Sequence, residues 1–176
     1  MKILAFSGSN SSTSINQQLI HAVAPLVDFA EVEIIDLRDY PAPLFGVDLE
    51  KSSGYPESMQ TLNAKFNDAD AFIVSSPEHN GSMPAFFKNA LDWISRISTN
   101  KIFKEKPCVF LAASPGARGG ASVLDHLLTI MPYRGAQVIG GHGVGSFSEK
   151  VVGGVLQEGD DKDKIVALFE KLKARR

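Results

Sequence analysis

Apolar runs of strand length alternate along the chain with stretches whose apolar residues recur at helical spacing, which predicts an α/β fold with a mainly parallel sheet. "KILAFSG" (2–8) is the first predicted strand. Leu19, Ile20, Val23, Leu26 and Val27 then share a helical face, with Pro25 placed to kink or shorten the helix. "VEIIDL" (32–37) reads as strand two, and 38–57 as a long irregular connection of the kind that carries function or an interaction surface. A helix near 58–68 leads to strand three at 70–76. Residues 83–97 predict a helix that buries Phe87, Ala90, Leu91, Ile94 and Ile97, with Pro84 in its first turn. Strand four (107–114) is followed by a Gly-rich turn and a helix to about Met131, then by strand five at 136–141. A last helix near 160–174 places Ile165, Leu168, Phe169 and Leu172 on one side. Strands in strict alternation with helices describe a doubly wound sheet.

In such sheets ligands bind beyond the carboxyl ends of the strands, where the strand order reverses. Three polar, glycine-rich connections fall there: Gly8 to Asn16, Pro77 to Ser82, and Ser114 to Gly120. With a strand order of 2-1-3-4-5, strands one and three flank the reversal and strand four lies next to them. The first connection opens a helix, so its free backbone N–H groups and hydroxyls suit an anion, although the stretch contains no lysine or arginine. It equally suits a plain helix cap, with Ser12, Thr13 or Ser14 capping and Asn16 steadying the turn. In the second connection Asn80-Gly81 is a turn signal, and Ser82 can cap the helix that follows. Lys88, Asn89 and Asp92 lie one or two turns further on and read equally well as surface polars. The third connection offers a backbone that a flat ring can approach closely, and one cation, Arg118. Gly119-Gly120 serves there equally as a helix start.

Other chemistries find little support. The triphosphate-loop, dinucleotide-fingerprint and hydrolase-elbow patterns are absent. "GGHGVG" (140–145) follows the last strand and reads as a flexible edge loop. His21 and His126 fall within helices and read as ordinary, and the four histidines have no metal-like spacing. Cys108, the sole cysteine, sits in an apolar run and reads as a small buried hydrophobe. The lack of an acid–base machine fits chemistry supplied by a bound cofactor.

Composition narrows the partners. Across 176 residues the formal net charge is −2, so no basic stripe for nucleic acid is expected, and the terminal "KLKARR" reads as a solvated helix end. Residues 1–176 are expected to form one domain. No window approaches the ~18 continuous apolar residues of a membrane span, and the first residues do not resemble a signal peptide. A cytoplasmic location is expected.

"GSNSSTSINQQL", followed some sixty residues later by "SPEHNGSMPAFFKNALDWIS", resembles the NADPH-dependent FMN reductase family, which includes chromate, quinone and azo-dye reductases. "DLRDYPAPLF" and "SPGARGG" extend the resemblance over nearly the whole chain. It implies a flavodoxin-like three-layer sandwich and a non-covalent FMN. Ser9, Ser14, Ile15 and Asn16, with Ser11 beside them, would hold the phosphate. Pro77, Glu78, His79, Asn80 and Gly81 would line the flavin ring on one side, and Ser114, Gly116 and their neighbours Arg118 and Gly119 on the other. NADPH or NADH would be the electron donor. A small acceptor such as a quinone or free flavin would take the electrons, in a homodimer or homotetramer.

Many members of the family carry arginine at the position of Ser11 and tyrosine at that of His79. The resemblance therefore implies a phosphate held by the helix dipole and hydroxyls, more weakly than usual. It also implies a flavin potential that rises when His79 is protonated. Two other readings remain open: a flavodoxin-type electron carrier, and an interaction protein that keeps the fold without the cofactor.

Overall fold

In the computed structural model, residues 1–99 and 101–175 are described. Five parallel strands form the central sheet: β1 (Lys2–Ser7), β2 (Glu31–Asp36), β3 (Ala71–Ser75), β4 (Lys106–Ala113) and β5 (Ala136–Val144). Their order is β2-β1-β3-β4-β5, as expected, and β1 and β3 flank the reversal. The two-residue period of each strand sorts its side chains onto two cores. Leu4, Phe6, Phe72, Val74, Cys108 and Phe110 face one layer of helices, and Ile3, Ala5, Ala71, Ile73, Val109 and Leu111 face the other. The buried strands thus read as continuous apolar runs, because helices cover both faces.

The first layer contains α3 (Glu57–Asp68), α4 (Ala85–Ile97) and α5 (Ala121–Ile130). Phe66, Phe72 and Phe103 meet in its core with ring centroids 5.0 to 5.7 Å apart. The second layer contains α1 (Ile15–Val23) and α7 (Asp160–Lys173). Pro25 ends α1 as expected, and the chain tightens into a 3₁₀ turn over Ala24–Leu26. Asp160, Asp161 and Asp163 at the start of α7, with Lys171 and Lys173 at its end, match the helix dipole.

Several expectations are corrected. The connection 38–57 is not irregular throughout: it continues a 3₁₀ turn (Leu37–Asp39) and then forms α2 (Val47–Ser53). It is strapped to α4, where Asn89 Oδ1 accepts from Phe45 N at 2.7 Å and Trp93 Nε1 donates to Pro43 O at 2.8 Å. Asn89 is therefore an anchor rather than a surface polar, whereas Lys88 and Asp92 form an exposed i,i+4 pair. Trp93 is fully buried and Ile97 only half-buried, because the strap covers the flank of α4 that periodicity leaves open. Pro84 precedes α4 instead of sitting in its first turn.

"GGHGVG" is not an edge loop, since β5 continues through Val144. Its glycines let the neighbouring loop pack directly on the strand, and a Cβ at Gly143 would collide with the Gly119 carbonyl. His142 within it pairs with Asp161 of α7, Nε2 to Oδ1 at 2.7 Å. Beyond β5 come a short helix, α6 (Phe147–Lys150), and a two-stranded hairpin, β6 (Val151–Val152) with β7 (Val155–Leu156), none of which was expected. Cys108 is buried as expected, and burial pushes its thiol well above the ordinary thiol range. Among the described residues no helix is long and apolar enough to cross a membrane.

Candidate functional site

The three connections do converge at the carboxyl edge of the sheet. The first two meet, with Pro115 from the third, around a cleft of ≈ 250 Å³ lined by Ser9, Ser11, Thr13, Ser14, Ile15, Asn16, Pro77, His79 and Pro115. The main chain of the first loop is folded by its own hydroxyls. Ser7 Oγ accepts from Ser9 N, Ser9 Oγ from Ser11 N, and Ser11 Oγ from Thr13 N, at 3.1 to 3.3 Å. Ser14 then caps α1 by accepting from Gln17 N at 3.2 Å, so the choice among three candidate caps falls on Ser14.

This arrangement leaves donors aimed at no protein acceptor. Ser9 and Ser14 are buried, their oxygens accept main-chain hydrogens, and no acceptor for their own hydroxyl protons occurs among the described residues. The N–H groups of Ile15 and Asn16, in the first turn of α1, are likewise without protein partners there. Two buried hydroxyls and two helix-terminal amides at a positive dipole end match what a phosphate needs. No cation is required for that fit.

Asn16 has a second duty that spacing alone does not reveal. Its side chain accepts from Ala113 N at 2.8 Å and from Ser75 Oγ at 2.7 Å, and it donates to Ala113 O at 3.1 Å. Rather than steadying its own turn, it fastens the start of α1 to the ends of β3 and β4. Only its main-chain N–H remains for a ligand.

In the second loop Asn80 and Gly81 both adopt positive φ, 52° and 79°, and His79 and Ser82 exchange main-chain hydrogen bonds at 2.8 and 3.1 Å. This is the two-residue hairpin turn that Asn-Gly favours. Glu78 points away from that turn: its Oε2 accepts from Ser122 N at 3.0 Å and Val123 N at 3.1 Å. The carboxylate thus caps α5, whose own N-cap position is Gly120 and has no side chain to offer. Gly119-Gly120 does start a helix, with Gly120 in the left-handed region.

Ser82 does not cap α4, which begins three residues later at Ala85. Its Oγ instead lies 2.8 Å from Nδ1 of His126, which falls within α5 as expected. His21 stays exposed near the end of α1.

The third loop closes against β5. Ser114 N donates to Val144 O at 3.1 Å, Ser146 N to Gly116 O at 3.0 Å, and Ser114 Oγ to Gly116 O at 2.7 Å. Arg118 is exposed and donates to Ser122 Oγ at 2.9 Å. Glu78, Asn80, Gly81, Ser114, Gly116, Arg118 and Gly119 therefore stand around the first cleft without lining it. Among the described residues no cluster of side chains could hold a metal ion.

With this geometry in view, comparison with known proteins is informative. Residues 1–149 match the family described as NADPH-dependent FMN reductase. The chain is 36% identical over 135 residues to the 2-hydroxy-1,4-benzoquinone reductase of a Burkholderia species, which covers 76% of this chain and 71% of that protein. It is 28% identical over 158 residues to the quinone reductase of Escherichia coli strain K12, covering 89% and 79% respectively. Among solved structures, a flavoenzyme NAD(P)H:(acceptor) oxidoreductase from Paracoccus denitrificans superposes with a TM-score of 0.79. That pair shares 22% identity and covers 98% and 97% of the two chains, a likeness of fold. A family match over most of the chain, on a five-stranded sheet of order 2-1-3-4-5, places this protein in the NADPH-dependent FMN reductase family.

Proposed function

We propose that the chain is an FMN-dependent NAD(P)H oxidoreductase whose acceptor is a quinone or a similar small molecule. The observation that carries this reading is the pair of buried hydroxyls, Ser9 and Ser14, beside the free amides of Ile15 and Asn16. These four groups would hold the phosphate. When bound, FMN would supply two-electron transfer between reduced nicotinamide and the acceptor. Pro77, His79 and Pro115 bound the cleft. Asn16 and Glu78 keep those walls in place by bonding to β4 and α5. The names of the Burkholderia and Escherichia coli relatives support a quinone as the acceptor.

The test is to load the purified chain with FMN and follow NADPH and NADH oxidation with and without duroquinone. Flavin-dependent oxidation that the quinone accelerates is the expected result. A chain that binds FMN but oxidises neither nucleotide would instead be an electron carrier, and one that binds no flavin would defeat the reading altogether.

A homodimer or homotetramer belongs to the same proposal. Leu44 is 79% exposed and Tyr133 78%, apolar surface that a second copy would cover in such an assembly. Sedimentation velocity measures the state directly.

A further inference from the structure

A second cleft adjoins the first, sharing His79 as a wall. It measures ≈ 380 Å³ and is lined by His79, Asn80, Ser82, Met83, Lys88 and His126, among others. Two of its lining residues, Ser82 and His126, are hydrogen-bonded to each other. Ser82 is held by the tight turn that His79 closes, and His126 projects from α5, half-buried. Nδ1 of the imidazole lies 2.8 Å from Ser82 Oγ, while Nε2 has no protein partner among the described residues. One ring nitrogen is thereby fixed and the other is left for whatever enters the cleft.

A hydroxyl is a suitable anchor for a ring that must gain and lose a proton, because it accepts from Nδ1–H whether or not Nε2 is protonated. The ring keeps its orientation across the transfer. Nearby charged groups do not compete for that task. Lys88 is bound to Asp92 on α4 at 2.6 and 2.8 Å, and the Glu78 carboxylate is occupied by the amides that open α5. Asp125, beside His126 on α5, is exposed, and so is His79 across the cleft.

Reducing a quinone by hydride forms the hydroquinone monoanion and leaves one proton to be supplied. We propose that His126, oriented by Ser82, donates that proton to the quinone acceptor, an assignment that rests on the oxidoreductase reading above. The Nε2–H bond of the imidazolium breaks and an O–H bond forms on the reduced quinone. Reduced nicotinamide is the species oxidised, and water returns the proton to the ring. His126 is then a catalytic residue and Ser82 a positioning residue.

The test compares duroquinone with ferricyanide, which takes electrons without a proton, in the FMN-loaded protein. His126→Asn is expected to lose about 100-fold in kcat for duroquinone with little change in KM, the size of a lost general acid. It is expected to reduce ferricyanide within about twofold of the wild-type rate, because ferricyanide itself takes up no proton and the one released goes to solvent. The solvent deuterium isotope effect on the quinone reaction should change with it, and that on the ferricyanide reaction should not. Ser82→Ala should lose about tenfold, the equivalent of one hydrogen bond, and Ser82→Thr should recover most of that. In isotope-labelled histidine NMR spectra, duroquinone should shift the His126 Nε2 resonance without any nucleotide present. Equal losses with both acceptors would make His126 structural and overturn the proposal, as would unchanged quinone turnover across the pH range. A wild-type protein that oxidises nucleotide with ferricyanide but not quinone would overturn this inference alone. One that oxidises nucleotide with neither would remove the oxidoreductase reading first.

Discussion

The Asn16 side chain grips the main chain of Ala113 from both sides, accepting from its N–H at 2.8 Å and donating to its carbonyl at 3.1 Å. The two residues are 97 positions apart, so this buried bond fixes where the first loop stands relative to the end of β4. Asn16→Ala would leave the Ala113 N–H buried and unpaired, and the Ser75 hydroxyl would lose its acceptor. We expect a loss of about 2–4 kcal/mol, read as a lower urea midpoint with unchanged slope. FMN affinity should fall alongside it.

Ser14 has two roles that one variant can separate. Ser14→Ala removes a helix cap, at a cost of about 1 kcal/mol in unfolding free energy. It also removes a hydroxyl donor from the proposed phosphate site. The FMN dissociation constant should rise about tenfold, a hydrogen bond's worth. The constant for riboflavin, which lacks the phosphate, should not move; equal weakening of both ligands would place the phosphate elsewhere.

Glu78→Ala should release the start of α5, because the Ser122 and Val123 amides lose their shared acceptor. The cost is that of a helix cap, about 1 kcal/mol. Hydrogen exchange checks it locally: those two amides should exchange faster while the amides of α7 are unaffected.

One pH effect follows from the edge of the sheet. Hydrogen bonds from Lys65 and then Lys2 hold the Glu33 carboxyl below its ordinary value of 4.5. Because the folded form holds the proton less tightly than the unfolded one, the pair stabilises the fold above that ordinary value. The contribution is lost as pH falls through the folded-state value. Glu33 is a quarter exposed, so the effect is small, of order 1 kcal/mol or less. Glu33→Gln should therefore lower the thermal midpoint at pH 7, and the difference from the wild type should shrink as pH falls and disappear once Glu33 is protonated in the folded form.

The sheet was legible in the sequence because each central strand is buried on both faces and so must be apolar throughout, while each helix needs only one apolar side. These periodicities gave the order of elements and placed three polar loops at one edge. The Gly-rich run 140–145 was misread for a related reason. Glycine that signals a loop in isolation serves here to let another segment of the same chain, at Gly119, lie against β5, and that segment is distant in sequence.

By itself, the sequence determined the doubly wound architecture, the loop at the opening of α1 and the likeness to a flavin reductase family. All three rest on local spacing or on contiguous motifs. The tertiary structure decided which polar groups are spent on the protein and which are left free. Asn16 and Glu78, both expected at the ligand, turn their side chains to β4 and α5; the hydroxyl protons of Ser9 and Ser14 find no acceptor among the described residues; His126 is paired with Ser82. Hydrogen-bond partners separated by dozens of residues are settled only when the chain closes, since a buried polar group must find an acceptor wherever the fold supplies one.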